Sequence, residues 1–205
     1  MNIEVKISKK PIDYIESMNV LEKRVQDVAS GKKSEFLWIL EHKEVYTAGK
    51  SYKNEDLLDK NLIVIKTNRG GKITYHGPGQ KVVYFVLNLN KREKNVRKLV
   101  NKIEDCIINI LKKFDISSHP DKKNIGIWVE NKNKSMKIAA IGIRIKKWVA
   151  YHGFALNIFN DLTKYNKIIP CGIKDKGITN LKKLGINKFN KIDKVIIESF
   201  LNTFP

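Results

Sequence analysis

Three segments of the chain repeat apolar residues at intervals of three and four, the spacing typical of an amphipathic helix. The first runs from Pro11, which is well placed as a first helical residue, to a stop at Gly31. The most regular covers residues 95–114, and the last covers residues 192–204. The pattern therefore predicts three helices, each with one face turned inward.

Short apolar runs between these helices have the length of strands rather than of helices. They cover residues 36–40, 62–65, 82–87, 125–129, 137–143 and 149–158. The polar segment 131–134 predicts a hairpin between two of them, residues 42–61 read as a long loop, and residues 160–190 are rich in turns. This order predicts an α/β fold of the α+β kind, with one domain over residues 1–205 and a mixed sheet flanked by helices.

Charge and composition restrict the function only loosely. Lys and Arg number 40 against 21 Asp and Glu, a formal net charge of +19. An anionic partner would account for this charge, and so would compositional drift in a chain rich in Lys, Asn and Ile. No apolar run approaches the roughly 20 residues that span a bilayer. The N-terminus also lacks the pattern of a signal peptide, so we expect a cytoplasmic protein.

The two cysteines have different surroundings. Cys106 lies at the edge of the apolar face of the 95–114 helix, which indicates inert packing. Cys171 lies between Pro170 and Gly172, in a turn that would present its side chain, so it is the candidate nucleophile. A lone cysteine in a loop is also compatible with no catalytic role. No Cys or His spacing indicates a structural zinc site.

A glycine-rich segment over residues 69–80 combines four glycines and a proline with the polar side chains of Arg69, Thr74, His76 and Gln80. So many glycines indicate sharp turns or close approach to a ligand. The segment matches neither a phosphate-binding loop nor a dinucleotide fingerprint. A binding wall is the favoured interpretation, and an ordinary turn-rich connection is the alternative.

Two later strands contain small residues that leave room for an apolar ligand. One begins at Lys137 and includes Ala139, Ala140 and Gly142. In the other, alternation predicts Gly153 and Ala155 on one face, with the opposite face formed by His152, Phe154 and Leu156. A solvated strand end for Lys137 and a structural role for His152 remain alternatives.

Taken together, these segments resemble the octanoyltransferase family of lipoate synthesis. Four motifs carry the resemblance: Arg69-Gly70-Gly71-x-x-Thr74-x-His76-x-Pro78-Gly79-Gln80, Lys137-Ile138-Ala139-x-Ile141-Gly142, His152-Gly153-x-Ala155-x-Asn157, and Pro170-Cys171-Gly172 followed by Ile178-Thr179. The segment Glu41-His42-x-x-Val45-Tyr46-Thr47-x-Gly49 is also similar. The likeness spans roughly residues 35–185, and the order of the motifs is more specific than any one of them.

The resemblance implies the fold of biotin and lipoate protein ligases, with no cofactor, nucleic acid or membrane involved. It implies transfer of an octanoyl group from octanoyl-acyl carrier protein to a lysine of lipoyl domains, the first step of endogenous lipoate synthesis. The implied acceptors are lipoyl domains of 2-oxoacid dehydrogenase E2 subunits and the glycine cleavage H protein. The implied catalytic residues are Cys171 and Lys137. The implied substrate-binding residues are Arg69, Gly70, Gly71, Lys72, Ile73, Thr74, Tyr75, His76, Ala140, Ile141, Gly142, Gly153, Phe154 and Ala155.

This chemistry suits a cysteine next to a cation. A free thiol of pKa ~8.5 is only slightly ionised at neutral pH. A positive charge within ~4–6 Å lowers such a pKa by one to three units. We therefore expect Lys137 to hold Cys171 ionised while it carries the acyl group.

Two rival functions remain. An ATP-dependent lipoate or biotin protein ligase would share the fold and leave Cys171 idle. A nucleic-acid-binding protein is suggested by charge alone, because no recognition motif is evident.

Overall fold

The computed structural model describes residues 2–131, 134–170 and 176–205. Its three helices are α1 (Tyr14–Ala29), α2 (Val96–Lys112) and α3 (Ile192–Thr203), as predicted. The predicted start of the first helix at Pro11 is wrong. The Asp13 side chain accepts hydrogen bonds from the backbone N–H groups of Ile15 and Glu16, and this cap sets the start at Tyr14.

The strands that the structure describes are β1 (Ile3–Ile7), β2 (Glu35–Leu40), β3 (Val45–Ala48), β4 (Val64–Lys66), β5 (Ile73–His76), β6 (Gln80–Asn88), β7 (His119–Pro120), β8 (Ile127–Asn131), β9 (Lys134–Lys146), β10 (Val149–Asn157) and β11 (Gly177–Ile178). The prediction of an unbroken loop over residues 42–61 is wrong, because β3 lies inside it. β1 was also not predicted. Both strands are too short for alternation to stand out, and pairing with other strands stabilises them.

The larger sheet has the strand order β1-β2-β6-β10-β9-β8-β7, and β11 pairs with β9 outside this path. β1 with β2 and β9 with β11 are parallel pairs, and the other pairs of this sheet are antiparallel. The predicted mixed sheet is therefore confirmed. A smaller sheet in the order β4-β3-β5 carries part of the glycine-rich segment on β5.

Helices cover both faces of the larger sheet. On one face Val83, Phe85 and Leu87 of β6 pack in the same apolar cluster as α2 and α3. On the other face the alternate residues Val82, Tyr84 and Val86 pack with α1. The α1 face also carries buried polar side chains, and the candidate site lies there. Among the described residues, no helix is both long enough and apolar enough to cross a membrane.

Candidate active site

A pocket lies on the α1 side of the sheet, where the glycine-rich segment crosses β9 and β10. The predicted substrate-binding residues that line it are Arg69, Gly71, Lys72, Ile73, Thr74, His76, Ala140, Ile141, Gly142, Gly153, Phe154 and Ala155. Gly70 and Tyr75 do not line it, and their predicted role stays a prediction. His152 of the third motif lines it as well, and so do Tyr14, Val82 and Tyr84, which the sequence did not indicate.

Two paired glycines open the space for this pocket. Gly142 of β9 lies opposite Gly153 of β10. A Cβ atom on Gly153 would lie 1.9 Å from the carbonyl oxygen of Val83, and one on Gly142 would contact Arg69 and the backbone of Gly70 at 3.4 Å. No other residue fits at Gly153, so β10 approaches β6 this closely only because Gly153 has no side chain, whereas at Gly142 a Cβ atom would make ordinary contacts with the glycine-rich segment.

The Arg69 guanidinium anchors the glycine-rich segment to β3. Its Nη2 donates to both the carbonyl oxygen and the hydroxyl of Thr47, each at 2.8 Å, and its Nη1 donates to the carbonyl oxygen of Gly70. Arg69 is buried. A buried charge with several hydrogen bonds fixes the segment against the sheet, so Arg69 shapes the pocket wall as well as lining it.

Two buried histidines at the pocket each have a hydrogen-bond partner in another side chain. His42 Nδ1 donates to the carbonyl oxygen of Ile12, so its Nε2 accepts from the Tyr84 hydroxyl at 2.8 Å. His76 Nδ1 lies 2.6 Å from Gln80 Oε1. Burial lowers the pKa of His42 to about 4 and that of His76 to about 3. Both rings are therefore neutral at physiological pH.

A second, smaller pocket continues from the first and contains Lys137. The two pockets share Thr74, Ala140 and Ala155 as a common wall. The alternative of a solvated strand end for Lys137 is wrong, because this residue is only 3% exposed. Its Nζ donates to the carbonyl oxygen of Ile125 at 2.9 Å and lies 4.8 Å from the centre of the Trp128 ring.

Of the two cysteines, the structure describes Cys106. Cys106 is fully buried in the cluster with α2 and α3, and burial raises its pKa to about 12. Its predicted role as inert packing is confirmed. Cys171 lies outside the described residues, but Pro170, directly before it in the chain, lines the pocket that contains Lys137.

His152 lies on the opposite side of the sheet from the one that alternation predicts. Its ring lines the larger pocket, stacks on Tyr151 at 4.7 Å and lies 6.3 Å from the Tyr84 ring. The backbone explains the difference, because His152 has a φ of 66°. Left-handed backbone is uncommon for a residue other than glycine, and no sequence pattern indicated it here.

No group of three or more His, Cys, Asp and Glu residues is placed to hold a metal ion in the part of the chain that the structure describes. The site instead combines a mostly apolar slot, with the Arg69 guanidinium in its wall, and a buried lysine, Lys137, in the adjoining pocket. Such an arrangement suits an acyl chain that enters the slot and presents its carbonyl group to a nucleophile near Lys137.

Known proteins resemble this chain in sequence and in fold. The family described as lipoyl protein ligase A/B catalytic domain matches residues 13–203. An octanoyltransferase of Ehrlichia canis is 46% identical over 98% of this chain and 96% of its own.

Solved structures extend the likeness to the ligases. A putative lipoate protein ligase of T. acidophilum with bound lipoic acid has a TM-score of 0.78 at 16% identity, over 99% of this chain and 86% of its own. An Aquifex aeolicus biotin protein ligase reaches 0.52 at 10% identity, over 99% of this chain and 68% of its own. These two identities are low, so they establish the fold alone, and the predicted fold is confirmed. Because the family match covers most of the chain and the octanoyltransferase is similar along nearly its whole length, this chain belongs to the lipoyl protein ligase A/B catalytic domain family.

Proposed function

We propose that this acyltransferase moves an octanoyl group from octanoyl-acyl carrier protein to a lysine of a lipoyl domain, through a thioester on Cys171. Its relatives at 41–47% identity over the whole chain are octanoyltransferases, and octanoyl transfer in lipoate synthesis is accordingly its activity. The observation that carries the mechanism is the pocket shared by Lys137 and Pro170, the residue before Cys171. This pocket continues into the apolar slot.

Lys137 suits the role of a fixed positive charge. Its ammonium group is held by the carbonyl oxygen of Ile125 and by the face of the Trp128 ring, so it does not swing freely into solvent. A cation close to a thiol favours the thiolate and lowers the thiol pKa by about one to three units. The proposed partner of this charge is Cys171.

The proposed reaction has two balanced steps. In the first, the Cys171 thiolate attacks the carbonyl carbon of the octanoyl thioester. The bond to the carrier's sulfur breaks, and that sulfur leaves as a thiol after it takes a proton, which Lys137 supplies. In the second, the neutral amine of the acceptor lysine attacks the new thioester. An amide forms, the bond to Cys171 breaks, and the proton lost by the amine returns to Lys137.

The slot supplies the binding energy for the chain. Its wall of Thr74, Ala140 and Ala155 begins at the Lys137 pocket and continues past the paired glycines. Burying six or seven methylene groups contributes about 5 kcal/mol, at about 0.8 kcal/mol each. This energy holds the thioester beside the proposed nucleophile, and no adenylate is needed because the thioester is already activated.

The specific partners also belong to the proposal. The donor is octanoyl-acyl carrier protein, and the acceptors are lipoyl domains of 2-oxoacid dehydrogenase E2 subunits and the glycine cleavage H protein. The net charge of +19 would speed association with acidic proteins. The proposed location is the cytoplasm, because a reducing compartment keeps the Cys171 thiol free.

Intact-mass analysis after mixing with octanoyl-acyl carrier protein tests this mechanism. We expect an octanoyl adduct on Cys171, and a loss of transfer of about a thousandfold or more in Cys171→Ala, since the nucleophile is removed. Cys106→Ala is the matched control, because it removes the other thiol from a position inside the core, and it should keep the adduct and the turnover. Transfer that survives Cys171→Ala, or that requires ATP and free octanoate, would contradict the mechanism.

A further inference from the structure

The left-handed backbone of His152 turns one side chain of β10 from the core to the slot. On either side of it, Ala150 and Phe154 pack in the α2–α3 cluster, as alternation requires. His152 keeps its pairing with Phe85 of β6 and Ile143 of β9, so the strand is not interrupted there. A non-glycine residue adopts this strained backbone only where surrounding contacts hold it, and such residues cluster at functional sites.

A chain of hydrogen bonds determines which nitrogen of His152 carries the proton. The Glu22 carboxylate can only accept, so the Asn68 Nδ2 that lies 3.0 Å away donates to it. Asn68 therefore turns its Oδ1 toward His152, whose Nε2 lies 2.8 Å away. A carbonyl oxygen needs a donor, so the proton of the neutral ring is on Nε2. Nδ1 is left with a bare lone pair.

This lone pair has no hydrogen-bond partner in the part of the chain that the structure describes. Among the described residues, no atom makes a hydrogen bond to His152 Nδ1, although the residue is only 2% exposed. Burial lowers the pKa of His152 to about 3, helped by the charges of Arg69 and Arg144, so the ring stays neutral. Buried acceptors normally have a partner, and the ring of His152 lines the slot.

The distance along the strands places His152 where an eight-carbon chain would end. Ala155 pairs with Ala140 on the wall shared with the Lys137 pocket, and His152 is three residues further from that wall along β10. Three strand residues span about 10 Å, at about 3.3 Å each. An extended acyl chain is a zigzag, so its seven C–C bonds of about 1.5 Å each span about 9 Å from end to end. A chain that begins at the shared wall therefore reaches His152.

We propose that His152 is a specificity-determining residue, whose Nδ1 accepts a hydrogen bond from an O–H group at the far end of the acyl slot. The inference rests on the proposed acyl transfer. The O–H group belongs either to a water molecule beyond the methyl end of an octanoyl chain or to the terminal hydroxyl of an ω-hydroxyacyl chain. A longer saturated chain displaces this donor and leaves the buried acceptor without a partner, which is unfavourable.

Steady-state kinetics with three donors test this role. The donors are the octanoyl, decanoyl and 8-hydroxyoctanoyl thioesters of acyl carrier protein, and the readout is kcat/KM for each. The variant is His152→Asn, because asparagine tolerates left-handed backbone and its shorter side chain withdraws from the slot. The control is His119→Asn, which changes an exposed histidine on β7.

We expect wild type to prefer octanoyl over decanoyl, and His152→Asn to lower that preference about tenfold, while His119→Asn leaves it unchanged. If wild type uses the 8-hydroxyoctanoyl donor better than the octanoyl donor, the O–H group comes from the substrate, and the reverse order assigns it to water. An unchanged preference in His152→Asn, or an equal fall for all three donors, would overturn the inference. If wild type transferred no acyl group from any donor, the proposed function would fail instead.

If the variant does not fold, a measurement on the wild-type protein still tests the inference. The ¹⁵N chemical shifts of the His152 ring distinguish a protonated nitrogen from a bare one. We expect a bare Nδ1 and a protonated Nε2 from pH 5 to pH 8. A protonated Nδ1 would overturn the inference, because the ring would then donate to the slot.

Discussion

The two faces of the larger sheet are built from the same strands but differ in the side chains that they bury. On the α2–α3 face a large apolar cluster is buried, and it includes the thiol of Cys106. On the α1 face, and along the slot beside it, His42, His76, Arg69 and Lys137 are buried among apolar residues. Apolar packing therefore stabilises both faces, and the α1 face in addition buries polar groups beside the slot.

The difference concerns the free-energy cost of burying polar groups beside the slot. Burying a polar group is unfavourable unless it finds a hydrogen-bond partner. His42, Arg69 and Lys137 each have such partners, whereas His152 Nδ1 has none among the described residues. His152 itself lines the slot. Buried polar groups on this face are thus either part of the scaffold or directed at a ligand.

Truncating a side chain on the apolar face should give the largest loss of stability. Phe200 is fully buried against Phe85 and Phe204. We expect Phe200→Ala to lower the free energy of unfolding by about 3–5 kcal/mol, measured in urea, because it leaves a cavity. Octanoyl transfer per folded molecule should stay at the wild-type level. Leu201→Ala, at an exposed position of the same helix, should cost less than about 1 kcal/mol.

Removing the buried cation should instead affect the reaction. Lys137→Met keeps the length of the side chain and deletes its charge. We expect the apparent pKa for acylation of the enzyme to rise by about one to three units, so the rate at neutral pH falls about tenfold to a thousandfold. The measurement is the pH dependence of single-turnover acylation. An unchanged profile would contradict the charge role, and Lys134→Met at the exposed start of β9 is the control.

The buried histidines should lower the free energy of unfolding at acid pH. We expect this to be the smallest of the three effects. The folded pKa of His42 is about 4, below the unfolded value of about 6.5, so the unfolded state binds the proton first. Stability due to this neutral ring is present above about pH 6.5 and is lost as the pH falls toward 4. His42→Gln should reduce the slope of unfolding free energy against pH by up to about 1.4 kcal/mol per pH unit, a limit approached between about pH 6 and pH 5.

Urea titrations at pH 7, 6 and 5 measure that slope. His119→Gln is the control, because the same substitution is then made at an exposed histidine. An identical slope in wild type and His42→Gln would mean that burial of this ring is not linked to acid stability.

Much of the fold and the site followed from local pattern. Helical spacing predicted α1, α2 and α3, because an apolar stripe is needed to cover a sheet. The neighbouring residues also distinguished the two cysteines, because Cys106 lies on an apolar helix face and Cys171 lies between proline and glycine. β1 and β3 escaped prediction, because strands of four or five residues carry little alternation of their own and depend on distant partners. The start of α1 was misplaced because the Asp13 cap outweighed the position of Pro11.

The sequence by itself determined the residue types of the slot: the glycines, the small side chains of β9 and β10, and the motifs that indicate the family. Only the tertiary structure decided that Lys137 is buried, that its pocket continues into the slot, and that His152 lines the slot rather than the core. These properties depend on a backbone angle and on contacts between segments far apart in the chain. Alternation along a strand is a local rule, and the left-handed residue at His152 reverses it.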